Sequence, residues 1–167
     1  MIIIADTTPL RYLIEIEEVH ILEELFGRVI VPQAVFDELQ DLRTPQKVKV
    51  WVQSHPDWLE LRPADISLFT PQRKIGAGER EALALAIAFN ANAVLLDDNG
   101  AIQEARRLNL HAYRTFFILE QAAEKNFLDL PEAIRKMRQT GFYLPPEEAI
   151  QAMLERDRQR KEAEEKK

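Results

Sequence analysis

Two short apolar runs, Ile2-Ile3-Ile4-Ala5 and Ala93-Val94-Leu95-Leu96, each end in acid: Asp6 after the first, Asp97-Asp98 after the second. Such a run has no polar alternation, so as a strand it must be buried on both faces, which places it inside a parallel sheet rather than at an edge. In open α/β sheets ligands sit in the crevice outside the carboxyl ends of the strands, where the following helices point their positive N-termini. An acid there invites a cation. Alone, Asp6 has a plainer reading: Asp6 or Thr8 caps a helix that begins near Pro9. The second acid cluster resists that reading, because a turn built on Asn99-Gly100 needs only one preceding Asp.

The rest of the chain alternates strands with helices. Leu10, Leu13, Ile14, Ile16, Val19, Ile21, Leu22, Leu25 and Phe26 recur at helical spacing and stop at Gly27, predicting one or two amphipathic helices. Arg28 to Val31 reads as a second strand, and Pro32 to Leu42 as a helix opening on proline. Thr44 to Val52 is helical, Trp58 to Arg62 is a third, outer strand closed by Pro63, and Ala64 to Ile75 is a short helix and a loop. Two glycines, Gly76 and Gly78, then lead through Glu79-Arg80-Glu81 into Ala82 to Phe89, a helix apolar all round and therefore buried. After the fourth strand, Ile102 to Leu108 is a helix, His111 to Tyr113 a fifth strand and Phe116 to Phe127 a helix. Beyond residue 130 the expectation is a helical extension, Pro131 to Arg138 and Glu147 to Leu154 around a hydrophobic turn at Phe142-Tyr143-Leu144. The charged end, 155–167, is expected to be a frayed solvated helix or a disordered tail.

This pattern predicts a three-layer α/β/α sandwich with a mainly parallel central sheet spanning residues 1–130. The chain of 167 residues contains no cysteine, which excludes disulfides and thiolate metal sites. Its N-terminal apolar run is too short to span a membrane and has no basic flank, so a soluble cytoplasmic protein is the expectation. With 22 Lys and Arg against 28 Asp and Glu, the net charge is -6, which excludes a broadly basic surface that coats nucleic acid. A polyanion must be met locally, by a basic patch or through a metal ion.

If the first and fourth strands are neighbours, Asp6 and Asp97 come together at their carboxyl ends, and Glu38 and Glu79 can complete a ring of acids. The plain reading of Glu38 is a solvated helix acid, and of Glu79 and Glu81 a favourable placement in a first helical turn. Carboxylates brought together cannot all stay ionised without a counter-charge, and hard oxygen donors select Mg²⁺ or Mn²⁺. With such ions the natural chemistry is in-line hydrolysis of a phosphodiester. Arg73, Lys74, Arg106 and Arg107 are candidates for guiding a phosphate backbone, with solvated helix charges as the plainer reading. His20, His55 and His111 have no ligand-spaced partner. Trp51, Trp58, Phe116 and Phe117 read as core or interface.

Ile-Ala-Asp6-Thr-Thr8-Pro-Leu, Val-Pro32-Gln-Ala-Val35-Phe-Asp-Glu38-Leu, Gly-Ala-Gly78-Glu79-Arg-Glu-Ala-Leu-Ala-Leu-Ala and Leu-Leu-Asp97-Asp98-Asn-Gly resemble, in order, the motifs of PIN-domain ribonucleases. More narrowly the chain resembles a bacterial and archaeal PIN-like group related to VapC toxins. The resemblance implies that Asp6, Glu38, Glu79 and Asp97 are the metal-holding catalytic acids, with Thr8 as a supporting hydroxyl. It leaves Glu81 open as an alternative to Glu79, and Asp98 to Asp97. It also implies single-stranded RNA as substrate and a small antitoxin as partner; the apolar residues of 116–127 and 142–144 call separately for a homodimer, or for packing of the extension on its own domain, to cover them. The rival is a non-catalytic PIN-like module that binds protein or RNA. A haloacid-dehalogenase-like phosphatase is disfavoured because Thr8 stands where that chemistry needs a second acid, and a Toprim-like fold leaves Glu38 and Glu79 unexplained.

Overall fold

The computed structural model describes residues 1–167 as two compact units, Met1–Thr115 and Phe116–Lys167. In the first unit the sequence's alternation becomes β1 (Ile3–Ala5), α1 (Thr7–Glu15), α2 (Ile21–Phe26), β2 (Val29–Pro32), α3 (Gln33–Glu38), α4 (Gln46–Gln53) and β3 (Leu59–Arg62). A 3-10 turn at Ile66–Leu68 leads to α5 (Ala77–Ala88), β4 (Ala93–Leu95), α6 (Asn99–Arg107) and β5 (Ala112–Tyr113). All five strands are parallel, in the order β3-β2-β1-β4-β5. Strand β1 is therefore central, and every residue of β1 and β4 is buried, as unbroken apolar runs require. The third strand is at the edge, where its exposed Leu61-Arg62 half can meet water.

Parallel connections are right-handed, so crossovers that step outward on opposite sides of β1 put helices on opposite faces of the sheet. The chain steps from β1 through β2 to β3, then returns to β4 on the other side of β1. The order reverses between β1 and β4, and at that point the helices on either side leave an open crevice at the carboxyl ends. One face of the sheet is filled by α5 and α6: Ala82 to Ala86, Ala101, Ile102 and Ala105 pack with Ile4, Ile30, Val94 and Leu96. Small alanines let α5 lie close on the sheet, which is why a helix apolar all round suits this position. The helices α5 and α6 are each followed by an asparagine with positive φ, Asn90 and Asn109, the left-handed cap that ends a helix without glycine.

Three expected boundaries move. Helix α3 stops at Glu38 and Leu42 is 93 % exposed, because the apolar stripe ends at the buried Leu39. Helix α5 starts at Ala77, so Glu79 and Glu81 lie within its first two turns. Helix α6 starts at Asn99, capped by Asp98.

The second unit holds most of α7 (Thr115–Glu124), α8 (Leu130–Met137) and α9 (Glu147–Glu165). The boundary expected after residue 130 falls inside this unit. Phe116 packs against Phe142 with ring centroids 5.6 Å apart, and Arg156 on α9 donates to Glu120 on α7 at 2.7 Å. The charged end is neither frayed nor disordered: α9 runs unbroken to Glu165. Its alternating signs fall at helical spacing, Arg158 with Glu155 and Glu162, Arg160 with Asp157 and Glu164, Lys161 with Asp157. Phe116, Ile118, Leu119, Ala122 and Ala123 are buried within the single chain, so α7 does not need a second copy to cover it; Phe117 and Tyr143 stay exposed. No helix is long and apolar enough to cross a membrane.

Candidate metal centre

Asp6 leaves β1 in extended conformation, and its amide donates to the carbonyl of Leu95 at 3.1 Å, so the residue after β1 is stitched directly to β4. The pairing of Ile3, Ile4 and Ala5 with Ala93, Val94 and Leu95 brings Asp6 beside Asp97 at one end of the sheet. Asp6 is only 3 % exposed. Burial pushes its carboxyl up to about 8, and the neighbouring charges of Glu79, Glu38 and Asp97 push the same way against the opposing hydrogen bond from the Thr7 amide. Expected like-charge repulsion is thus present, but loss of water is the larger cause.

Glu38 is the last residue of α3, and its two carboxylate oxygens are each occupied. Oε1 accepts from the amide of Gly78 at 3.1 Å and Oε2 from the hydroxyl of Thr7. The hydroxyl on an acid is thus that of Thr7, one residue before the Thr8 to which the resemblance pointed. Gly78 sits where Asp6 and Glu38 converge: a Cβ built on it would lie 2.9 Å from both Glu38 oxygens and 3.1 Å from Asp6 Oδ1. Only glycine leaves room for both carboxylates to turn toward the helix start.

Asp97 follows β4, and Thr115 holds it twice, through its amide at 3.0 Å to Oδ1 and its hydroxyl at 2.5 Å to Oδ2. Burial raises its carboxyl, opposed by the Thr115 bonds and the nearby Arg114. Thr115 is fully buried and was missed in the sequence; its signal is a hydroxyl two residues after a short strand, too common to single out. Glu79, raised first by burial and then by Asp98 and Glu38, reaches back to the amide of Gly76 at the start of its own helix.

The two open alternatives hold different partners. Glu81 accepts from the amide of Ala34 at 2.8 Å, tying α5 to the start of α3, while the charge of Glu79 raises Asp6. Asp98 accepts from the amide of Ala101 at 2.9 Å as the cap of α6 and its charge raises Glu79, while the charge of Asp97 raises Asp6. Of the candidate cations, Arg73 and Arg107 both turn onto the fully buried Glu104, at 3.4 Å and 2.6 Å. Lys74 is exposed, and Arg106 lies in the last turn of α6, away from the acids.

As the side chains stand, no three His, Asp or Glu residues are arranged to hold one ion. The donor set still suits a hard divalent cation. Every donor is a carboxylate oxygen, three of the four acids are raised, and the space over Gly78 that a Cβ would fill is bounded by oxygens of two of them. Glu79 and Asp97 would join by exchanging their hold on Gly76 and Thr115.

Comparison with curated proteins finds no match. A solved structure, a PilT N-terminus domain protein from the hyperthermophilic archaeon Sulfolobus solfataricus P2, is similar over 87 % of this chain and 100 % of that one, at 13 % identity and a TM-score of 0.47. Residues 2–157 match the family DUF3368, described as a PIN domain. The match spans the sheet, the acid crevice and most of α9, and the chain belongs to this PIN-domain family.

Proposed function

We propose that this protein is a divalent-metal-dependent endoribonuclease that hydrolyses single-stranded RNA, with Asp6, Glu38, Glu79 and Asp97 as the acids that hold Mg²⁺ or Mn²⁺. The observation that carries the reading is the pairing of β1 with β4, which sets Asp6 beside Asp97 at the point where the sheet order reverses. Membership of a PIN-domain family, a nuclease-type superfamily, supports the reaction class, and the RNA substrate is part of the proposal. A divalent ion at such carboxylates supplies Lewis-acid polarisation of the phosphate and activation of water. The chain's own groups do the rest. Thr7 and the Gly78 amide orient Glu38, and Thr115 orients Asp97. Burial pushes the Asp6 carboxyl up to about 8, and a bound cation would favour its ionised form. With the acids alone at the strand ends and no histidine or lysine among the four motifs, the products carry 5′-phosphate and 3′-hydroxyl ends.

The resemblance of the sequence motifs to VapC-like toxins supports a role as the toxin of a toxin-antitoxin pair with a small protein inhibitor, and homodimerisation through the exposed Phe117 and Tyr143 belongs to the same proposal. A second reading, a non-catalytic binding module, is favoured by Glu79 and Asp97 being engaged on Gly76 and Thr115 rather than on a shared point. One experiment separates the two. Purified protein is incubated with a mixed single-stranded RNA pool with Mg²⁺, with Mn²⁺ and with excess EDTA, alongside Asp6→Asn, and the product ends are mapped. Cleavage that needs the metal and Asp6 and leaves 5′-phosphates supports the nuclease. Cleavage undiminished in EDTA, or 2′,3′-cyclic ends, refutes the mechanism, and intact RNA with measurable binding supports the module.

A further inference from the structure

We propose that Arg114 is the residue that takes a phosphate of the bound RNA strand, setting its register beside the acids. This rests on the RNA reading above. An acidic crevice repels a polyanion, so a strand drawn to it needs a cation fixed beside the acids as well as any bound ion. The sequence offers Arg73, Lys74, Arg106 and Arg107, but two of these are spent on Glu104, and Lys74 is an exposed side chain with no hydrogen bond or ion pair to fix it. Arg107 gives Nε and Nη2 to Glu104 and also donates to the carbonyl of Thr70 at 3.1 Å, and Arg73 gives Nη1 to Glu104. Arg106 is in the last turn of α6, whereas the acids are at its first, roughly 10 Å away along a nine-residue helix.

Arg114 is placed differently. It follows β5 directly, at the same end of the sheet as Asp6 and Asp97, on the strand paired with β4. Its Nη1 donates to the carbonyl of Asp97 at 2.8 Å and its Nη2 to Asn99 Oδ1 at 2.5 Å. Asp97 lies in the turn between β4 and α6 and Asn99 opens α6, so one edge of the guanidinium is fixed while the residue remains exposed. A guanidinium carries five N–H donors in a rigid fork that matches phosphate, more than these two acceptors use. Held in this way, the cation has already lost much of the freedom that phosphate binding would otherwise cost. A purely structural alternative makes Arg114 a brace of the β4–α6 turn, and that role moves stability but not the salt dependence of RNA binding.

The test compares wild type, Arg114→Gln and Arg114→Lys. Binding of a fluorescent single-stranded oligoribonucleotide is titrated in Mg²⁺ at several salt concentrations, in the Asp6→Asn background to keep the RNA intact. Melting temperatures are recorded in parallel, and cleavage is measured with Asp6 restored. The expected result is a rise in Kd of about tenfold at low salt for Arg114→Gln, the size of one lost charge-assisted hydrogen bond. The slope of log Kd against log salt should fall by roughly 0.7, the share of one single-strand phosphate. Arg114→Lys should recover the slope and part of the affinity, and cleavage should show the change mainly in KM. An unchanged Kd and slope, or a lowered melting temperature with an unchanged slope, overturns the proposal and leaves Arg114 a brace. Absence of cleavage in every form refutes the nuclease reading, while the binding slope still decides the role of Arg114.

Discussion

A carboxyl as buried as that of Asp6 links the site to pH. Its folded value, pushed up to about 8 from an ordinary 3.8, means that between these limits the folded protein keeps a proton that the unfolded chain has released. The unfolded state then binds fewer protons, so without metal this group makes stability fall as pH rises from about 4 to 8 and level off above. Melting curves across that range in EDTA should show the decline, Asp6→Asn should flatten it, and a saturating divalent cation should reduce it. Gly78 makes a second prediction at the same scale. Alanine in the first turn of α5 should gain about 1 kcal/mol of helix propensity, yet its Cβ would lie 2.9 Å from the Glu38 oxygens. Gly78→Ala should therefore keep or raise the melting temperature measured without metal, while metal-dependent cleavage falls more than tenfold. A variant with full activity would show that the carboxylates relax at no functional cost.

Among the elements, α6 does two tasks with its two ends. Its first turn, capped by Asp98, borders the acids, and its last turn carries Arg107 onto Glu104. Glu104 also accepts from the amide of Gln72 at 3.2 Å, so this one carboxylate pins the segment that leads to Gly76 and the start of α5. Its carboxyl is held below the usual range, chiefly by the Arg107 hydrogen bond, against the opposing effect of desolvation. A depressed acid adds stability that is present above the unfolded value and is lost as pH falls through the folded one. Glu104→Gln should cost roughly 1–3 kcal/mol at neutral pH and weaken the dependence of stability on acid, as urea titrations at pH 7 and pH 3 would reveal. At the charged end of α9 the ion pairs explain why a segment with almost no apolar residues stays helical: Arg158, Arg160 and Lys161 each find an acid three or four residues away, and Asp157, 6 % exposed, anchors the helix among Arg160 and Lys161.

At the scale of the molecule, a net charge of -6 sits with a crevice that gathers acids, so divalent cations should stabilise the whole protein and monovalent salt should not substitute for them. Differential scanning calorimetry with increasing Mn²⁺ should show a melting temperature that keeps rising with concentration, and the rise should vanish in Asp6→Asn and shrink in Gly78→Ala. An equal shift in all three proteins would place the ion elsewhere.

The apolar runs at Ile2–Ala5 and Ala93–Leu96, the proline and glycine boundaries and the alternation of strands with helices made the α/β class readable from the sequence alone, because burial on two faces leaves no other use for such runs. The acids at strand ends were readable for the same reason: a charge directly after a buried strand has few plain explanations. What the linear order does not contain is who faces whom. Thr7 and Thr115 are ordinary hydroxyls until the pairing of β1 with β2 and β4 with β5 sets them against Glu38 and Asp97. Glu81 and Asp98 differ from Glu79 and Asp97 by a rotation about a helix or a single step along a turn, which spacing cannot resolve. Arg73 and Arg107 looked available for phosphate until packing enclosed Glu104, a helix acid whose burial no local pattern announces. The charged end looked unfolded because it lacks apolar residues, and only the helical geometry of its ion pairs, with Arg156 reaching Glu120 on α7, made it an ordered helix. Local chemistry thus decided which elements form and where charge collects, and tertiary packing decided which of those charges remain open to a ligand, since access depends on contacts between residues far apart in the chain.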